Sequence, residues 1–104
     1  MEYLLVLQLP SSSSSLGEYD FLIALEESIR ESIGDFATVD GRDIGSGEMN
    51  IFLFTENPQR AFERIKVIPS VANHMSNMKV GYREVGEDEY TPLYPEGLQQ
   101  FAVI

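Results

Sequence analysis

The 104-residue sequence predicts an α+β domain of ferredoxin-like βαββαβ type. Such a domain is an antiparallel sheet with two helices on one face, here followed by a C-terminal extension. Three observations carry the prediction. Runs of strand formers and two helix-period segments follow one another in that order. Two of the strands are apolar on both sides. Residues 89–104 are apolar again and lie beyond the six elements, so the expected organisation is one domain over 1–104 with 89–104 as its extension.

Residues 2–9 (EYLLVLQL) form the first strand, ended by Pro10, which has no amide hydrogen for a sheet. The five serines of 11–15 read as a flexible loop. Ser15 and Glu18 have capping-box spacing and open a helix over about 18–33. Leu22, Leu25, Ile29 and Ile33 make its apolar stripe; Glu26, Glu27, Arg30 and Glu31 make its wet side. Gly34 stops it.

The second strand covers 36–39, and the turn formers of 40–47 read as a hairpin end. Residues 48–55 (EMNIFLFT) are the third strand. Asn57 caps a second helix that Pro58 begins, with Ala61, Phe62, Ile65 and Ile68 at its period and Pro69 ending or kinking it. The fourth strand spans 79–85. Residues 90–94 suggest a short extra strand limited by Pro92 and Pro95.

In this arrangement the strand order is 4-1-3-2, with the first and third strands central. Tyr3, Leu5, Leu7 and Leu9 point one way, and Leu4, Val6 and Gln8 the other. Met49, Ile51 and Leu53 oppose Phe52 and Phe54. One wet face would show as apolar and polar in alternation. Here both faces are apolar. Burial of each such side chain is worth roughly 1.5–3 kcal/mol, so the face bearing Leu4, Val6, Phe52 and Phe54 needs a cover. The candidates are the tail (Tyr90, Leu93, Tyr94, Leu98, Phe101, Val103 and Ile104), a second copy of the chain, or another protein.

Seventeen carboxylates against seven Lys and Arg give a net charge of −10. That charge repels phosphate, so neither nucleic acid nor an anionic membrane is an expected partner. Residues 1–57 hold eleven acids and two bases, while 58–104 hold six and five. The imbalance serves solubility, or it steers the chain toward a basic protein. There is no cysteine, which removes disulfides, thiolate metal sites and thiol nucleophiles. No run reaches the ~18 apolar residues of a membrane span, and the N-terminus lacks the basic region of an export signal. The expected location is therefore the cytoplasm, with no metal or other cofactor.

The densest polar segment is 40–50. Asp40, Arg42, Asp43, Ser46, Glu48 and Asn50 are its candidate binding residues, for a small polar ligand or a hard cation. Their spacing fits no EF-hand loop. Gly45-Ser46-Gly47 precedes a strand and not a helix, so it makes no phosphate cradle. A solvated hairpin explains the same residues. His74 is the only histidine, and nothing in the sequence brings it to a serine and an aspartate, so no catalytic residue is assigned. Glu87, Asp88 and Glu89 read as a solvated turn. Tyr3, Phe52 and Phe54 sit where RNA-recognition sheets carry stacking aromatics, but the acidic charge opposes that use. ACT-type regulatory domains share the topology, yet their glycine-rich first loop has no counterpart in the serine run.

The segment from Gly45 to Phe52 (GSGEMNIF), with Asn57-Pro58, Phe62, Tyr82-Arg83-Glu84 and Glu89-Tyr90-Thr91, resembles a group of small uncharacterised bacterial proteins of ferredoxin-like type. The resemblance implies no activity. The expected function is that of a small acidic, non-catalytic interaction or accessory domain, binding a protein partner or itself as a homodimer. Two alternatives stand beside it. One is an immunity-like antitoxin that masks a basic toxin; the other is a ligand-binding regulatory module or enzyme built on the 40–50 hairpin.

Overall fold

The computed structural model describes residues 2–11, 16–45 and 47–103. Five strands, β1 (Tyr3–Pro10), β2 (Thr38–Gly45), β3 (Glu48–Thr55), β4 (Lys79–Glu84) and β5 (Thr91–Tyr94), make one sheet in the order β2-β3-β1-β4-β5. Every pairing is antiparallel. The helices are α1 (Leu16–Ile33), α2 (Pro58–Ile65) and the short α3 (Pro69–Ala72). The architecture is α+β. Its strand count and order differ from the four-stranded arrangement expected, because β5 adds an edge beyond β4. Pro92 is tolerated there, since an edge strand leaves half of its amides unpaired with the sheet.

Ser15, expected as the α1 cap, lies outside the described residues, as do Ser46 and Ile104. At α2 the cap is present: Asn57 Oδ1 accepts a hydrogen bond from the Arg60 amide at 3.0 Å. The helix stops at Ile65, and Pro69 begins the separate turn of α3.

The segment expected as a hairpin end is a correction. Residues 40–45 belong to β2, which pairs with β3 up to Gly45 opposite Glu48. The turn is only two residues long, with Gly47 at φ +83°. Simple alternation hides this strand. Val39 and Ile44 both pack on the helix-side core although they are five positions apart. A bulge between Val39 and Gly41 absorbs the odd residue, Asp40, and returns both side chains to one face.

The core has two parts. On one side Leu5, Leu7, Leu9, Met49, Ile51, Leu53 and Val80 meet Leu22, Leu25, Ile29 and Ile33 of α1 and Ala61, Phe62 and Ile65 of α2. On the other side Leu4, Val6 and Phe101 are buried together, with Phe52, Phe54, Tyr90, Leu98 and Val103 packed around them. Leu93 and Tyr94 turn instead toward the helix side. The tail is fixed at two points. Gln8 Nε2 donates to the carbonyl of Ala102 at 2.9 Å. The Phe101 ring occupies the space above Gly81, where an added Cβ would stand 2.4 Å from the ring.

Removing this ring should therefore uncover the second core. Phe101→Ala is expected to lower stability by about 3 kcal/mol, as for other large-to-small core changes. Gly81→Ala should also destabilise, and lose most of its cost in a Phe101→Ala background. Urea unfolding of the four proteins checks this; strictly additive losses would show that glycine and ring are not coupled.

Candidate functional site

The polar residues of the β2–β3 hairpin do not form one cluster. A strand alternates its faces, and β2 and β3 sort the six candidates accordingly. Arg42, opposite Ile51, points to the helix side. Asp43 pairs with Asn50 and shares the tail side of the sheet with Glu48. Asp40 sits exposed at the bulge, and Ser46 lies outside the described residues.

Arg42 serves the fold. Its Nη1 donates to Glu26 Oε1 at 2.6 Å and its Nη2 to the Tyr19 hydroxyl at 3.1 Å. The guanidinium also lies 5.2 Å from the centre of the Tyr19 ring. The hydrogen bonds it donates to Tyr19 and Glu26 hold the Arg42 pKa above its ordinary value. Glu26 is the buried partner, with 2% of its side chain exposed against 31% for Arg42. Its second oxygen is 3.8 Å from Arg30. An edge strand and a helix are thus joined through a carboxylate that needs a counter-charge. Among the described residues no ion pair joins α1 to α2. Arg30 pairs with Glu27 within α1, and Lys66, at the end of α2, pairs with Glu63.

On the tail side, one row crosses four strands: Asp43, Asn50, Gln8 and Lys79. Asn50 and Gln8 are buried, and Gln8 Nε2 donates to Asn50 Oδ1 at 3.1 Å. Asn50 Nδ2 and Glu48 Oε1 are buried without a hydrogen-bond partner. The same bond network that orients Gln8 holds Ala102 of the tail. Sequence reasoning assigned no role to Gln8, Asn77 or Lys79. The available signal was Gln8 itself, the lone amide in an otherwise apolar strand.

Beside this row the sheet is less well covered. The tail lies over β1 and β4, anchored on Gln8 and Gly81. Phe52 and Phe54 on β3 remain half-buried. Next to them β2 offers Gly41 and Gly45, where an added Cβ would meet nothing within 4 Å. The result is a shallow trough with an aromatic wall. At one end it runs into a cleft of about 270 Å³ with Phe36 and Phe54 as apolar walls, Glu2, Asp35 and Glu56 as acids, and Arg60 as a base. Asp43 stands exposed toward the other end.

The remaining candidates have structural surroundings. His74 stacks edge-on against Phe21, with ring centres 4.8 Å apart. Among the described residues no group of three or more His, Asp or Glu is placed to hold a metal ion. Among them, too, no helix is long and apolar enough to cross a membrane.

The roles of the β2 residues can be separated by substitution. Arg42→Met should destabilise the fold more than Asp40→Asn or Asp43→Asn, because it strands Glu26 in the protein interior. Adding Glu26→Leu should restore most of the loss. Thermal unfolding of the single and double variants measures this; a double variant no better than Arg42→Met would remove the buried charge as the cause.

With this geometry in place, no protein-family model, curated protein or solved structure gives a significant match to the chain.

Proposed function

We propose that this chain is a non-catalytic interaction domain of ferredoxin-like type that binds a basic protein in the trough between β2 and β3. One observation carries the reading: Phe52 and Phe54 stay half exposed beside two glycines with open space, on a sheet face otherwise covered by the tail. Aromatic side chains in such a position supply most of the contact energy of an interface. The acids around the trough favour a cationic partner by charge and speed its approach. A toxic partner of this kind would make the domain an immunity-like antitoxin, and co-expression would then protect the host cell.

A photo-crosslinking side chain at Gly41 tests the proposal, since the structure leaves room for one there. In cells it should capture a basic protein, while the same group at Glu27 on the exposed side of α1 should not. Phe52→Asp should abolish capture, and added salt should weaken it. An acidic captured protein, or capture indifferent to Phe52→Asp, would overturn the reading. Light scattering should give the 11.7 kDa monomer. Twice that mass, returning to one copy with Phe52→Asp, would assign the trough to self-association instead.

A further inference from the structure

We infer that a second cleft, at the Pro10 end of the sheet, binds a small zwitterion of the α-amino acid class. The cleft measures about 290 Å³, with Leu9 and Pro10 as its apolar part and Gln8, Glu48, Asn77 and Lys79 as its polar groups. That volume falls just under the range of ligand pockets, roughly 300–1,000 Å³, which restricts the occupant to a small molecule.

Two opposite charges face this cleft without meeting. Glu48 Oε1 is shielded from solvent and accepts no hydrogen bond. Lys79 is exposed and, among the described residues, has no ion-pair partner. Strand pairing keeps them apart. Glu48 lies opposite Pro10 on one side of β1, and Lys79 opposite Gln8 on the other. Two strand spacings and an offset of two residues along β1 separate their backbones by about 12 Å. A ligand with an ammonium and a carboxylate a few bonds apart satisfies both ends at once.

Between the charges stands Gln8, 5% exposed. Its Nε2 is committed to Asn50 Oδ1 and the Ala102 carbonyl, which fixes the amide plane. Its Oε1 is the amide's remaining acceptor. The ligand ammonium would sit between Glu48 Oε1 and Gln8 Oε1, and the carboxylate between Lys79 Nζ and the Asn77 amide. A buried acceptor that has lost its water regains a partner only when a donor enters, so binding and desolvation favour the same occupant. This site is separate from the β2–β3 trough and does not depend on it.

The test is a titration of the full chain with each of the twenty free α-amino acids, followed by calorimetry and by thermal shift. Methylamine and acetate, which carry one charge each, are the controls. At least one amino acid should raise the melting temperature at about 10 mM, with both controls without effect. Glu48→Gln and Lys79→Met should each weaken that binding at least about tenfold. Circular dichroism should show both variants folded in the absence of ligand. No response to any amino acid, equal response to acetate or methylamine, or unchanged affinity in both folded variants would overturn the inference.

Discussion

The governing constraint is that β1 and β3 are apolar on both sides, so their sheet has to be covered twice. The helices cover one side, through α1 and α2 against Leu5, Leu7, Ile51 and Leu53. The tail covers much of the other, through Phe101 against Leu4 and Val6. Each cover dictates local choices elsewhere. Gly81 is where the ring of Phe101 needs the space of a missing side chain. Gln8 is polar because the tail backbone has to be held where no strand pairs with it. A polar side chain inside an apolar strand is costly unless its hydrogen bonds are made, and here two of them are.

Much of the fold was legible because periodicity reports burial directly. The strands β1 and β3 are central, and their runs of apolar residues say so. The α1 stripe and the Asn57-Pro58 start of α2 follow from equally local rules. The strand β2 was less legible. It is an edge strand with no fully buried residue, and its bulge at Asp40 breaks the two-residue period that would reveal it. The tail was legible as apolar, but its seat was not: Gln8 and Ala102 meet across 94 positions of sequence. The same distance in sequence separates the loop-closure cost of docking the tail from any reward until the sheet exists.

The candidate site divided along the same line. Asp40, Arg42, Asp43, Glu48 and Asn50 are adjacent in sequence, and a reading by proximity joins them. The pleat parts them instead. Arg42 becomes a structural group on the helix side, while Asn50 joins Gln8, which lies 42 positions earlier. Glu48 meets Lys79 only as the opposite wall of a cleft. Sequence neighbourhood thus identified polar residues of interest but assigned them to the wrong companions. The tail side of the sheet carries three surfaces in sequence along β3: an aromatic trough, a buried amide pair and a polar cleft.

The contact between Arg42 and Glu26 also polices alignment. A strand that slides by one position exchanges its faces, so a misaligned β2 would swing Arg42 into water. Asp43 or Gly41 would then turn toward α1. The first would set a carboxylate against the sequestered carboxylate of Glu26, and the second would leave that anion with only its longer contact to Arg30. Because β2 already accommodates one surplus residue at Asp40, it is the strand most able to slide. The salt bridge supplies what its sparse apolar content does not: an electrostatic veto on every neighbouring alignment.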